Sequence, residues 1–103
     1  MSENLPNTTR TTLLAAAKHM REHGWCQREI STADGRVCLM GAVMASVNAR
    51  RVQGQEWHDL FMAARDRLYD TIGSEHGVGH WNDWVCLSQR EAIAMLERAA
   101  GCV

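Results

Sequence analysis

The chain has 103 residues, 46% of them hydrophobic and 22% charged, enough apolar material for one core and too much for a disordered segment. Eleven basic against twelve acidic residues leave a formal charge of -1, and no basic run exceeds the pair Arg50-Arg51, so a nucleic-acid partner is not expected. Met1-Ser2-Glu3-Asn4 shows neither a basic start nor an apolar h-region, and the longest apolar run, residues 37–45 with Gly41 inside it, falls short of the ~20 residues that cross a bilayer. The expectation is a single cytoplasmic domain with no membrane partner, whose four cysteines (Cys26, Cys38, Cys86 and Cys102) are reduced thiols.

Residues 1–7 read as a loose lead-in to a first helix over residues 8–23. Asn7 or Thr8 is suited to accept from the free backbone N–H groups at its start. Leu13, Ala16, Ala17 and Met20 fall on one face, and Gly24 supplies a stop. Residues 25–36 read as a connector with a turn at Asp34-Gly35 and a short extended piece at residues 28–31.

A second helix is expected over residues 36–49. It is apolar nearly all round, which predicts a central position. Cys38, Gly41, Ala42 and Ala45 recur at helical spacing and form a small-residue side. A glycine within a helix costs about 1 kcal/mol relative to alanine, so Gly41 implies close approach of a backbone or a ring. The third helix, residues 55–71, carries the stripe Trp57, Leu60, Phe61, Ala64 and Leu68. The fourth, residues 89–100, opens with a Ser88/Glu91 capping box and turns Ala92, Ile93, Leu96, Ala99 and Ala100 inward. No stretch alternates with period two, so the fold class is all-α: a compact bundle of four main helices with long tryptophan-containing loops.

Residues 73–84 are the most unusual segment, with three glycines, His76 and His80, Trp81 and Trp84, Asn82 and Asp83. One reading folds this loop back on the bundle, with the tryptophans as anchors and Asn82 and Asp83 bonding free backbone groups. The other makes it a binding loop, because tryptophan buries a large area at small entropic cost. Trp25 and Arg36 join His76, His80, Trp81, Asn82, Asp83 and Trp84 as candidate binding residues. A zinc site is not expected: His76 and His80 have suitable spacing, but the chain lacks a close cysteine pair and the intervening glycines disfavour a helix. Cys38, His80 and Asp83 (or Asn82) follow the order of a cysteine nucleophile, base and orienting residue, with Cys38 placed in a first helical turn where the dipole lowers a thiol pKa. They are weak catalytic candidates, since that order arises easily by chance and Cys38 lies in an apolar helix.

The pattern Gly24-Trp25-Cys26-Gln27, then Asp34-Gly35-Arg36-Val37-Cys38-Leu39-Met40-Gly41-Ala42, then Trp81-Asn82-Asp83, then the closing Met95-Leu96-Glu97-Arg98-Ala99-Ala100, resembles a family of small uncharacterised proteins from actinobacteria and their phages. The resemblance spans most of the chain and brings no activity, cofactor or catalytic residue. It implies a small accessory protein, plausibly phage-encoded. The leading functional expectation is non-enzymatic binding to a host or phage protein, or self-association, with no cofactor and no metal. A small-ligand or nucleotide site between the glycine-rich loop and the second helix is the alternative, and a Cys/His enzyme comes third.

Overall fold

The computed structural model describes residues 6–73 and 75–101. The first five residues of the expected lead-in, Ser74 and Cys102 lie outside them. Four long helices run in chain order: α1 (Asn7–His23), α2 (Leu39–Asn48), α3 (Gly54–Ile72) and α5 (Gln89–Ala99). Between α3 and α5 lie a short α4 (Gly77–His80) and, continuous with it, a single π-helical turn (Trp81–Val85). No strand occurs among the described residues.

Helix α1 starts one residue earlier than expected, and neither Asn7 nor Thr8 caps it. Pro6 is the N-cap, and its carbonyl accepts from Arg10 N–H at 3.0 Å. Asn7 is already helical, so the lead-in is shorter than read from the sequence. Leu13, Ala16, Ala17 and Met20 are buried, as their spacing predicts. At the C-terminus Gly24 takes φ 103°, and a Cβ there would stand 2.7 Å from Arg36 Cγ, so both conformation and space require glycine.

The apolar α2 was expected at the centre. It packs against α1, α3 and α4, and α1 is as widely connected, packing against α2, α3 and α5. A buried hydrogen bond from Ser46 Oγ to Thr12 O (3.0 Å) joins the first two helices. Trp57 Nε1 donates to Asn48 Oδ1 at 2.7 Å, and its ring stacks on Phe61, so α3 is anchored to the end of α2. Arg67 Nε donates to Ala99 O at 2.7 Å and closes α3 onto α5. Arg21 of α1 pairs with Glu97 of α5.

Helix α2 begins at Leu39, three residues later than the apolar pattern suggests. Residues 36–38 are extended because Val37 is bridged on both sides, parallel to Trp25 and antiparallel to Ser31. Val37 N–H donates to Gly24 O and Cys26 N–H to Val37 O, both at 3.0 Å; Cys38 N–H donates to Ile30 O at the same distance. That Ile30 carbonyl explains Gly41, since a Cβ at Gly41 would lie 2.2 Å from its oxygen.

Residues 77–85 are helical, although their glycines disfavour a helix and the segment reads as a loop. Gly73 and Gly77 hold positive φ at the two ends of the turn, whereas Gly79 sits inside the helical stretch. Ahead of α5, Ser88 Oγ accepts from Glu91 N–H (3.2 Å) as the capping box predicts. The returning arm differs by one residue: Glu91 Oε1 accepts from Leu87 N–H at 3.0 Å.

Candidate functional site

Three of the four pieces of the sequence pattern meet in one hydrogen-bonded knot. Its centre is Asn82, 1% exposed on the π turn. Asn82 Oδ1 accepts from Trp25 Nε1 (2.9 Å) and from Leu39 N–H (3.1 Å), the first amide of α2. Its Nδ2 donates to Cys26 O at 3.1 Å and to Asp83 Oδ1 at 2.9 Å. One amide side chain thus joins the connector, the start of α2 and the π turn, with all four of its hydrogen-bonding positions used.

Gln27 closes the knot from the other side. Its Nε2 faces three carbonyls, Asp83 O (3.0 Å), Asn82 O (3.2 Å) and Cys86 O (3.2 Å). A widened π turn presents free carbonyls in this way, because its i→i+5 bonding disturbs the regular α ladder. Asp83 Oδ1 also accepts from Arg28 N–H at 2.8 Å, which fixes Arg28 at φ 66°, a left-handed conformation uncommon for a non-glycine residue. No buried side-chain nitrogen or oxygen among the described residues lacks a partner.

The candidate residues therefore fall into separate groups. Trp25 and Trp81 are half-buried and pack against the core. Asn82 and Asp83 are engaged within the knot. Arg36 lies at the surface and its Nε donates to Asp34 Oδ1 at 3.2 Å; the hydrogen bond from Thr32, and then this one, hold the Asp34 carboxyl below its ordinary pKa. His76 and His80 are exposed with ring centroids 4.6 Å apart, and Glu75 lies beside His76. Among the described residues no group of three metal-binding side chains gathers.

Of the weak catalytic set, Cys38 and Asp83 line one cavity, while the His80 ring lies against His76. Cys38 is the N-cap of α2, not a residue of its first turn, and Gly41 N–H donates to its Sγ at 3.3 Å. Burial pushes its thiol above the ordinary value, outweighing the hydrogen bonds from Gly41 and Met40 that favour the thiolate. The dipole argument for a lowered pKa fails here because desolvation dominates. His80 faces His76, and Asp83 faces Asn82 and Arg28.

Trp84 is the exception among the tryptophans: 64% of its surface is exposed, with the Arg28 guanidinium carbon 5.0 Å from a ring centroid. Val85 and Leu87 beside it are 48% and 80% exposed. Arg28 also lines a cavity of about 260 Å3 with Ile30, itself 52% exposed, and with Cys38, Met40, Gly79 and Asp83. Gln27, Arg28, Ile30, Val85 and Leu87 were missed as candidates. Gln27 stood in the quoted pattern, and Val85 and Leu87 were visible as apolar residues between Trp84 and the helix cap; nothing in the sequence marked Arg28.

No helix of the described residues is long and apolar enough to cross a membrane. No curated protein and no solved structure matches the chain. A model of a family of unknown function (DUF6197) matches residues 4–101, nearly the whole length, and the chain belongs to that family.

Proposed function

We propose that this chain is a non-enzymatic interaction protein that engages a partner protein through a surface formed by Trp84, Val85, Leu87 and Ile30. The observation that carries the reading is Trp84, two-thirds exposed on a π turn whose backbone is held by Asn82 and Gln27. A large apolar ring usually settles into the core; one kept outside on a rigid support is pre-organised, so docking loses little entropy. Aromatic anchors of this kind concentrate binding energy. The resemblance to actinobacterial and phage proteins supports an accessory role, with a host or phage protein as the partner.

A second reading has one supporting observation. The 260 Å3 cavity lies where the glycine-rich segment meets α2, between Gly79, Met40 and Cys38, and could admit a small ligand. It is smaller than most ligand sites, which run from about 300 Å3 upward. Neither His80 nor Arg36 lines it.

The test compares wild type with Trp84→Ala and Leu87→Ser in quantitative affinity capture from a host lysate, with light scattering for self-association. Both variants are expected to keep the wild-type melting temperature and to lose, by tenfold or more, a partner that wild type recovers. Equal recovery by all three proteins, or melting temperatures that collapse with the substitutions, would reject this surface as a docking site.

A further inference from the structure

The connector between α1 and α2 places two cysteines side by side. In the parallel bridge Trp25–Val37, Val37 is bonded to both Gly24 and Cys26, so Cys26 and Cys38 are the next pair along the same ladder. Successive side chains of extended backbone point to opposite faces, so Cys26 and Cys38 share the face opposite Trp25 and Val37. Paired extended segments run about 4.8 Å apart. That spacing falls within the ~4.4–6.8 Å Cα separation that a disulfide spans. Cys38 is itself extended, at φ −85° and ψ −178°. Both residues are reduced here and buried, at 6% and 8% exposure.

Two surface cavities end on this pair. The one of about 260 Å3 reaches Cys38, and another of about 340 Å3 reaches Cys26 beside Thr32 and Arg36. Arg28 and Glu29 line both, so a single short loop segment separates the two openings.

We infer that Cys26 and Cys38 form a reversible dithiol site that closes to an intramolecular disulfide by exchange with a small aliphatic disulfide. The Cys26 thiolate, beneath the larger opening, attacks one sulfur of the small disulfide, forming a mixed disulfide and releasing one thiolate. The Cys38 thiolate then attacks the Cys26 sulfur of that mixed disulfide and releases the second. The protein dithiol loses two electrons, the small disulfide gains them, and the two thiol protons end on the two released thiols. The new bond would tie the connector to the N-cap of α2.

Burial, and then the neighbouring Cys38, raises the Cys26 thiol above its ordinary value, and burial does the same to Cys38. At neutral pH the pair therefore stays protonated. Exchange is slow there and accelerates as pH rises, because the thiolate is the attacking species.

The experiment incubates the folded full-length chain with glutathione disulfide at pH 7 and pH 9, then alkylates and measures intact mass and tryptic peptides. The expected product loses two thiol hydrogens (about 2 Da) on closure and, after alkylation of the denatured chain, carries two fewer alkyl groups than the untreated protein. It links peptide 22–28 to peptide 37–50, forms faster at pH 9, and persists in a Cys86→Ser, Cys102→Ser double variant. Cys26→Ser should keep Cys38 alkylated to the same extent with and without the disulfide reagent. Links through Cys86 or Cys102 in place of the pair, stable glutathione adducts that never resolve, or thiols still unmodified after prolonged exposure at pH 9 would each overturn the inference.

Discussion

Replacing Asn82 with alanine tests whether the knot is the keystone of the fold. The substitution removes the acceptor of Trp25 Nε1–H and Leu39 N–H, and the donor to Cys26 O. Each polar group left buried without a partner costs about 1–3 kcal/mol. Three such groups set a range of ~3–9 kcal/mol, and the half-buried Trp25, which water can partly reach, argues for the lower part, about 3–5 kcal/mol. A domain of this size has ~5–15 kcal/mol in all. At roughly 4 °C or more per kcal/mol, the melting temperature should fall by at least ~12 °C. Urea denaturation followed by circular dichroism measures this directly. Asn82→Asp provides the control: it keeps the acceptor but sets a carboxylate oxygen against Cys26 O and the Asp83 carboxylate, so it should be no milder. A loss below about 1 kcal/mol for Asn82→Ala, the ordinary size of one exchanged hydrogen bond, would refute the keystone argument.

Further expectations follow from other contacts. Gly41→Ala improves helix propensity by about 1 kcal/mol, yet its Cβ would meet Ile30 O at 2.2 Å, so a net loss of ~1–3 kcal/mol is expected in the urea midpoint. Ser46→Ala removes the buried donor to Thr12 O and Val43 O, and should cost about 1–2 kcal/mol by the same assay. Stability should also show a plateau in pH. Burial and His23 depress His19 below its ordinary 6.5, so the unfolded chain binds the extra proton and stability falls as pH drops through that value. Burial raises Cys26, Cys38 and Cys86 above 9.0, so the folded chain holds those protons longer and stability falls as pH rises past 9. Unfolding free energies measured from pH 5 to 10 should reveal both shoulders, and His19→Gln should flatten the acidic one.

The long helices were legible because their apolar residues recur with helical spacing over ten residues or more. The stripe from Trp57 to Leu68 and the run from Leu13 to Met20 each mark a face that tertiary packing then uses. What escaped the sequence was local pairing between single residues. Val37 has partners on both sides, but one bridged residue leaves no alternation to read, so α2 was extended three residues too far upstream. The helical segment 77–85 was hidden by its glycines, since composition does not show that Gly77 needs positive φ while Gly79 does not. The knot was invisible for a different reason. Asn82 and Trp25 are 57 positions apart, and nothing local to either residue names the other.

The quoted sequence pattern now has a physical meaning. Trp25, Gln27, Leu39, Asn82 and Asp83 are tied together by the hydrogen bonds of the knot, while Gly24 and Gly41 make room for Arg36 and Ile30. A motif that satisfies its own donors and acceptors has little left to offer a ligand, so it defines the scaffold. Trp84 stands immediately after the Trp81-Asn82-Asp83 piece of that pattern, and the exposed Val85 and Leu87 follow it. The knot ties the backbone at 82 and 83, and the next side chain, Trp84, points out from it. On the proposed reading, the scaffold fixes where the contact surface lies and leaves its chemistry free to change. Substitutions at Trp84, Val85 and Leu87 should therefore alter binding while leaving the fold intact, and substitutions inside the pattern should do the reverse.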